Sequence, residues 1–203
     1  LSPAKVVLVD NSEFNLYSIH LELKDKESNV EVIPPLCTIT NYNQLKKLIS
    51  IHKIHTIYHA AAYKHVPMVE INIVSGVYNN VVGTYNVAKA AIENDVENMI
   101  LISTDKAVRP TNIMGASKRF SELVLQAFSD KNSSTCFSMV RFGNVLDSAG
   151  SVVPLFRKQI KKGGPVTVTH RNITRYFMSI PEAVQLVLQS GAMAKGGDVF
   201  VLD

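Results

Sequence analysis

The first two thirds of the chain alternate between two hydrophobic patterns. Short apolar runs, most of them rich in β-branched residues, occur at residues 5–9, 29–33, 56–59, 99–102 and 135–142, and such runs predict buried strands. Apolar residues at helical spacing predict a helix after the N-cap Ser12 and helices over about residues 42–50, 69–94 and 114–127. Strands that alternate with helices predict an α/β fold with a doubly wound, Rossmann-like parallel sheet.

The pattern loosens after Gly143. Residues 152–162 and 181–193 have helical spacing, and residues 166–169 and 199–201 predict strands. We expect a small mixed lobe that packs over the carboxyl edge of the sheet and holds a substrate against it. The expected division is a Rossmann-like domain over residues 1–143 and a substrate-binding lobe over residues 144–203, interleaved as one structural unit.

Composition narrows the classes of function. The chain has 203 residues, of which 46% are hydrophobic, and this is enough for a substantial core. A net charge of +4 without a long basic block is compatible with an anionic ligand and argues against nucleic acid as a partner. Two distant cysteines and six scattered histidines predict no metal site. Because no apolar run approaches the roughly 20 residues that span a bilayer, we expect this part of the protein to be soluble and cytoplasmic.

A cluster of polar side chains follows the apolar run at residues 99–102. Ser103, Thr104, Asp105 and Lys106 supply two hydroxyls, a carboxylate and an amine, and side chains just past the carboxyl end of a buried strand face the ligand crevice of α/β proteins. The alternative is an ion-paired surface turn with capping hydroxyls. We interpret the cluster as a candidate active site, to which Lys118 returns on the following helix.

Asp10 stands at the end of the first predicted strand. In dinucleotide-binding folds an acid at such a position accepts hydrogen bonds from the adenosine ribose, although an isolated Asp there is also a common turn or cap residue. The chain has no Gly-x-Gly-x-x-Gly turn near its amino end, where these folds hold a phosphate. We therefore expect the first strand–helix unit of the fold to be missing from these residues.

Six motifs carry a family resemblance over essentially the whole chain. In order they are residues 10–17, 59–67, 80–84, 102–118, 141–145 and 174–178. Together they resemble the nucleotide-sugar 4,6-dehydratases of bacterial polysaccharide and glycan biosynthesis. This family belongs to the extended short-chain dehydrogenase/reductase superfamily and acts on UDP-N-acetylglucosamine. Its members are NAD(P)-dependent lyases, so the resemblance implies a lyase.

The resemblance implies catalytic roles at the candidate site. Hydride leaves carbon 4 of the sugar, a proton leaves carbon 5, water leaves carbon 6, and the hydride returns to carbon 6. Thr104 would bind the carbon 4 hydroxyl, Asp105 would be the acid at carbon 6, and Lys106 the base at carbon 5. Lys118 would reach the nicotinamide ribose, while Met114 replaces the usual tyrosine, as in one subgroup of the family. A protonated Asp105 and a neutral Lys106 both require pKa values that burial and contacts have shifted.

The resemblance also implies binding residues and partners. The cofactor would be NAD, with NADP as the other option, although the charge of Asp10 would repel a 2′-phosphate. Cofactor contacts are assigned to Asp10, Ala60, Ala61, Ala62, Asn80, Ser103 and Lys118. Contacts to the substrate, a UDP-sugar, are assigned to Lys64, Asn144 and Arg175, and the strand predicted at residues 166–169 would run along the uracil.

Other functions and assemblies fit the same residues. A UDP-sugar 4-epimerase or a plain dehydrogenase would share the fold, and a noncatalytic dinucleotide-binding module would explain the absent tyrosine. A thioether cannot transfer a proton, so in a dehydratase the carbon 4 hydroxyl proton must pass to Asp105 or to a water held by Thr104. We expect a homo-oligomer, and a membrane-anchoring segment outside this chain would make it the cytoplasmic domain of an inner-membrane protein.

Overall fold

A computed structural model describes residues 3–26, 29–130, 134–148, 151–168, 170–172, 174 and 176–202. The strands are β1 Lys5–Val7, β2 Glu31–Ile33, β3 Thr56–His59, β4 Asn98–Thr104, β5 Cys136–Phe142, β6 Asn144–Val145, β7 Phe177–Met178 and β8 Asp198–Leu202. The helices are α1 Glu13–Asp25, α2 Tyr42–His52, α3 Val66–Ile71, α4 Ile73–Val77, α5 Gly83–Ile92, α6 Ile113–Ser129, α7 Val152–Lys161 and α8 Ile180–Met193. A π-helical turn, Tyr78–Val82, joins α4 to α5, and a 3-10 turn, Asp105–Ala107, follows β4.

The central sheet is parallel throughout, in the order β3-β4-β5-β8. Parallel neighbours require crossover connections, and here the crossovers are helical, as the alternating pattern predicts. Among the described residues, β1 and β2 form a separate parallel pair, and β6 and β7 form another.

Alternate residues of β4 pack against helices on opposite faces of the sheet. Met99 and Leu101 belong to a core that includes Leu125 of α6 and buried residues of α2 and α5. Ile100 packs instead in a core with Val187 of α8. Since successive strand residues point to opposite faces, helices cover both faces, and the fold is doubly wound as predicted.

Several predicted elements differ from the structure, and among them the strand predicted at residues 29–33 is shorter, at Glu31–Ile33. The single helical region predicted at about residues 69–94 begins earlier, at Val66, and is interrupted at Asn72 and by the π turn. The first strand is shorter than predicted and only partly buried, because its hydrogen-bonded partner is β2 alone among the described residues. The strand predicted at residues 166–169 is wrong for residues 166–168, and Thr169 lies outside the described residues. The Gln159 side chain binds both the backbone N–H and the hydroxyl of Thr167, so the Thr167 N–H is bonded without a strand partner.

The carboxyl-terminal residues serve both the main sheet and a smaller unit. β8 pairs with β5, and α8 packs on β4 and β5. β6 and β7 form their own two-stranded sheet. The division at residue 143 stays a prediction. None of the described helices combines the length and the apolar character that crossing a membrane requires.

Candidate active site

The end of β4 brings a hydroxyl, a carboxylate and an ammonium into one hydrogen-bonded unit. Thr104 caps the 3-10 turn, accepting at 3.4 Å from the Lys106 backbone N–H, and its Oγ1 donates to Asp105 Oδ1 at 2.8 Å. Lys106 Nζ donates to the same carboxylate oxygen at 2.9 Å. The Asp105 side chain is 53% exposed and that of Lys106 35%. The predicted catalytic trio is therefore assembled at the carboxyl edge of the sheet, where ligands bind in this fold class.

The charge state of Asp105 differs from the expected one. Desolvation raises the pKa of Asp105, but hydrogen bonds from Lys106 and Thr104 and the charge of Lys106 outweigh it, so the pKa lies below its ordinary value. An acid catalyst needs a raised pKa. The expected direction is therefore wrong for this arrangement, in which Asp105 is a carboxylate paired with Lys106.

Lys118 lies behind this unit, on the buried side of α6. Its side chain is almost fully buried, and its Nζ donates to the Ile102 carbonyl oxygen of β4 at 2.6 Å. Desolvation lowers the pKa of Lys118 to about 8, partly offset by the charge of Glu122. The Lys118 amine therefore titrates near neutral pH, unlike an exposed lysine.

His59 ends β3 beside Lys118 and is held neutral. Its Nε2 shares a hydrogen bond of 2.9 Å with Thr84 Oγ1. Desolvation, followed by the charge of Lys118, lowers the pKa of His59 to about 3. A neutral imidazole avoids a second buried cation next to Lys118.

Asn80 connects the loop after β3 to α6 through hydrogen bonds of its side chain. Its Nδ2 donates to the Tyr63 carbonyl oxygen at 3.0 Å and to Ser117 Oγ at 2.9 Å. Its Oδ1 accepts from the Tyr63 N–H at 2.7 Å and from Asn79 Nδ2 at 3.2 Å. All polar atoms of the buried amide are thus used within the protein. Asn80 positions the loop, and its predicted contact with a cofactor stays a prediction.

Ser103 also faces inward, toward a buried ionic cluster that the sequence analysis does not identify. Its Oγ donates at 2.6 Å to Glu122 of α6, whose side chain has no exposed surface. Arg141 of β5 donates to the two oxygens of the same carboxylate at 2.8 and 2.5 Å, and Arg119 Nη1 donates at 2.9 Å. Desolvation alone would raise the pKa of Glu122. These hydrogen bonds lower the pKa by more than desolvation raises it, so it lies below its ordinary value. Two features of the sequence point to this cluster: a glutamate four residues after Lys118 and an arginine in the motif at residues 141–145.

The amino end of α6 packs against the 3-10 turn that carries Asp105 and Lys106. Asn112 caps the helix by accepting from the Gly115 N–H at 2.8 Å, and Glu70 of α3 accepts from the Ile113 N–H at 2.7 Å. A Cβ on Gly115 would lie 2.3 Å from the Lys106 carbonyl oxygen. Only glycine lets the helix backbone approach the turn this closely.

Met114, where the superfamily has a tyrosine, is nearly fully buried. Its carbonyl oxygen accepts from Ser117 Oγ at 2.7 Å. The side chain therefore contributes packing at the site, with no ionisable proton.

The remaining cofactor residues lie on the loops after β1 and β3. Asp10 Oδ1 accepts from the Ser12 N–H at 2.7 Å, which is a turn-type contact that leaves its second oxygen for another donor. Ala60 and Ala61 are exposed and Ala62 is partly buried. Their roles stay predictions.

The substrate residues are more scattered. Lys64 is exposed in the loop before α3. Asn144 begins β6, and its Nδ2 donates to the Tyr176 carbonyl oxygen at 3.4 Å, so the contacts found for it are within the small sheet. Arg175 lies outside the described residues.

Two solved structures share this arrangement of strands and helices. Pen from Bacillus thuringiensis matches with a TM-score of 0.91 and 36% identity, over 99% of this chain and 61% of Pen. A double mutant of DesIV, a dTDP-glucose 4,6-dehydratase from Streptomyces venezuelae with NAD and DAU bound, matches with a TM-score of 0.86 and 18% identity. That match covers 99% of this chain and 66% of DesIV. These likenesses confirm the Rossmann-like fold.

Sequence relatives are described as polysaccharide and nucleotide-sugar proteins. The capsular polysaccharide biosynthesis protein CapD of Staphylococcus aureus is 52% identical over 202 residues, 99% of this chain and 34% of CapD. A UDP-glucose 4-epimerase of Rickettsia rickettsii is 42% identical over 165 residues, 80% of this chain and 48% of the epimerase. The chain thus spans between a third and a half of the length of these two relatives. Because residues 1–203 also match in full the family described as "Polysaccharide biosynthesis protein", this chain belongs to that family.

Proposed function

We propose that the protein is a nucleotide-sugar 4,6-dehydratase, a lyase that converts UDP-N-acetylglucosamine to a UDP-4-keto-6-deoxy sugar for polysaccharide, lipopolysaccharide or glycan biosynthesis. The observation that carries the proposal is the hydrogen-bonded unit of Thr104, Asp105 and Lys106 at the end of β4. A dehydration needs a proton acceptor and a proton donor on one rigid edge, and this unit contains both.

The residues near the sheet edge are suited to NAD. Lys118 Nζ uses one of its donors on Ile102 and keeps others for ribose hydroxyls. The small Ala60 and Ala61 are exposed after β3, so a flat ring can approach the backbone there, and Asp10 retains a carboxylate oxygen for hydroxyl donors. NAD, when bound, would supply the acceptor for the carbon 4 hydride and the donor of the hydride to carbon 6.

The lowered pKa of Asp105 fits a role as the first proton acceptor. As the carbon 4 hydroxyl loses its proton to Thr104 Oγ1, Thr104 passes its own proton to Asp105 Oδ1 along the 2.8 Å hydrogen bond. Asp105 is then the protonated acid that the next step needs. This relay gives the carbon 4 proton a path that does not involve Met114.

Protonation of Asp105 also prepares Lys106. Once Asp105 is neutral, Lys106 has lost its ion-pair partner, and the proposed mechanism requires it to release a proton to solvent before the next step. Neutral Lys106 then takes the proton from carbon 5, while Asp105 gives its proton to the hydroxyl that leaves carbon 6 as water. Carbon 5 is finally reprotonated by Lys106 or solvent, and Asp105 and Lys106 return to the ion pair.

An assay in deuterated water separates this function from its alternatives. The full-length protein is incubated with UDP-N-acetylglucosamine and NAD, and the product is analysed by NMR. We expect a 4-keto-6-deoxy sugar with deuterium at carbon 5. UDP-N-acetylgalactosamine without deuterium at carbon 5 would instead establish a 4-epimerase, the second candidate, which the 42% identity to the Rickettsia epimerase favours. Binding of both ligands without any product would establish a noncatalytic module.

Substitutions at the unit test the assigned roles. We expect Asp105→Asn and Lys106→Met each to lower kcat by roughly 10²–10⁴-fold, with the Lys106 variant also losing deuterium exchange at carbon 5. Asp147→Asn is the matched control, because Asp147 is also an exposed, ion-paired aspartate, bonded to Arg157 at 2.6 Å. Normal turnover in Asp105→Asn or Lys106→Met would contradict the mechanism.

The same proposal includes substrate contacts from Lys64, Asn144 and Arg175. It also includes a domain boundary near residue 143 and a homo-oligomeric state. An amide suits sugar hydroxyls, and a guanidinium suits a diphosphate. Helices α4 and α6 pack on each other, and both carry exposed apolar side chains. These exposed side chains support self-association.

A further inference from the structure

Glu122 connects the helix that carries Lys118 to the strands that carry the candidate site. From α6 its carboxylate accepts from Ser103 of β4, from Arg141 of β5 and from Arg119 one turn away. Ser103 directly precedes Thr104, and Lys118 binds the preceding carbonyl oxygen, that of Ile102. Two successive turns of α6 are thus tied to two successive residues of β4.

Glu122 is also the negative charge closest in sequence to Lys118 on the same helix face. Residues four apart on a helix are neighbours. Other charged or titratable groups lie on the neighbouring strands, on the turn after β4 and on α6 itself. His59 lies on β3, Asp105 and Lys106 are paired in the turn after β4, Arg141 lies on β5 and Arg119 on α6. Of these, His59 is neutral, and the two arginines are bonded to Glu122.

We propose that Glu122 is a positioning residue for Lys118: its hydrogen bonds set where α6 lies on β4, and its charge, one helical turn away and beyond direct ion-pair distance, acts as the counter-ion of the Lys118 ammonium. The physical reason is the cost of a buried, unpaired cation. Lys118 is almost fully buried and donates to a neutral carbonyl, so the ammonium needs a nearby anion. The raising effect of Glu122 on the pKa of Lys118 agrees with this geometry.

Because two arginines are bonded to Glu122, the proposal predicts opposite changes at Lys118 when Glu122 or Arg119 loses its charge. Removing the Glu122 charge leaves Arg119 and Arg141 unopposed near Lys118, so the ammonium becomes less favourable. Removing the Arg119 charge leaves more of the Glu122 charge for Lys118, so the ammonium becomes more favourable. A purely structural role would not predict opposite shifts.

The experiment follows the titration of Lys118 itself in the full-length protein, without cofactor. Trace acetylation with acetic anhydride between pH 6 and 10, read by mass spectrometry, gives the midpoint for each lysine. We expect the Lys118 midpoint near 8 in the parent, at lower pH in Glu122→Gln and at higher pH in Arg119→Gln. The control is Glu93→Gln, which removes an ion-paired carboxylate bound to Lys46 at 2.6 Å at the surface, and it should leave the midpoint unchanged.

Thermal unfolding of each variant shows whether it is folded. A folded Glu122→Gln with an unmoved midpoint overturns the proposal. If Glu122→Gln does not fold, an unmoved or lowered midpoint in Arg119→Gln overturns it, since Arg119 is partly exposed and its loss is tolerated more easily.

Calorimetric titration with NAD then links this inference to the proposed function, on which its ribose-binding consequence rests. At pH 8, Glu122→Gln should bind NAD roughly five-fold more weakly than the parent, since a midpoint lowered from about 8 by one pKa unit reduces the protonated fraction from about one half to about one eleventh. At pH 6.5 the affinities should converge. Shifted Lys118 midpoints with equal NAD affinities would uphold the counter-ion role and contradict the role of Lys118 at the cofactor.

Discussion

At the scale of single residues, His59 shows how burial fixes a protonation state. The imidazole is 4% exposed at the end of β3, with one hydrogen bond to Thr84 and the Lys118 ammonium nearby. Its pKa of about 3 lies far below the ordinary value of about 6.5. The unfolded chain therefore binds a proton at this residue between these two pH values, whereas the folded chain does not.

We predict that acid destabilises the protein through His59. Since the folded pKa is depressed, the stabilisation is fully present above about pH 6.5 and is lost as pH falls toward 3. The slope is about 1.4 kcal/mol per pH unit. Urea unfolding at pH 6.5, 5.5 and 4.5 should show His59→Gln losing this slope. The control is His55→Gln, which removes an exposed histidine. An equal slope in His59→Gln and the parent would refute the prediction.

The candidate site was predictable where its chemistry is local in sequence. Thr104, Asp105 and Lys106 are consecutive, so their contact follows from a strand that ends there. Ser103 is different, because its direction depends on Glu122, 19 residues later, and on Arg141 of the neighbouring strand. Hydrophobic patterns give the buried face of a helix, but they do not say which strand residue a buried carboxylate meets.

At the scale of elements, the packing of α6 decides the shape of the site. The helix carries Lys118 and Glu122, and its first turn contacts the turn that presents Lys106. Periodicity predicts this helix over about residues 114–127, whereas it runs from Ile113 to Ser129 with Asn112 as its N-cap. The interruptions at Asn72 and at the π turn in the preceding helical region are not predicted, because apolar spacing alone does not give the hydrogen-bond pattern of each turn.

Gly115→Ala tests this contact. The new methyl would lie 2.3 Å from a backbone oxygen, which cannot rotate away, so either α6 or the turn must move. We expect a loss of about 1–3 kcal/mol in the free energy of unfolding and reduced turnover from a displaced Lys106. Gly143→Ala is the matched control, since its nearest neighbour is the Tyr176 carbonyl oxygen at 3.5 Å. Denaturant unfolding measures both, and equal stabilities would show that the contact is loose.

At the scale of the whole molecule, apolar side chains remain at the surface of the helices next to the site. Val74 of α4 is 82% exposed and Phe120 of α6 is 57% exposed. Soluble monomers rarely expose large contiguous apolar patches. A symmetric dimer buries the same face of each copy, and this arrangement agrees with the expected homo-oligomer.

We predict that charge on this face weakens self-association. Light scattering of the full-length protein should give an oligomer for the parent and a smaller species for Val74→Glu and Phe120→Glu. Because both side chains are exposed, the change in unfolding free energy of the separated subunit should stay within about 0.5 kcal/mol. Glu substitution of Ile51, 60% exposed on α2, is the control. A parent that is monomeric at all concentrations would contradict the prediction.

The π turn at Tyr78–Val82 has a consequence for sequence variation. A π turn holds one more residue than the α-helical turn it replaces, so losing one residue there would leave a helix of normal geometry. That deletion would rotate everything on one side by about 100° and turn the Asn79–Asn80 pair away from Tyr63 and Ser117. The loop contacts therefore depend on the length of this helical segment as well as on its side chains, and a homologue shorter by one residue here would have to hold the loop after β3 by other means.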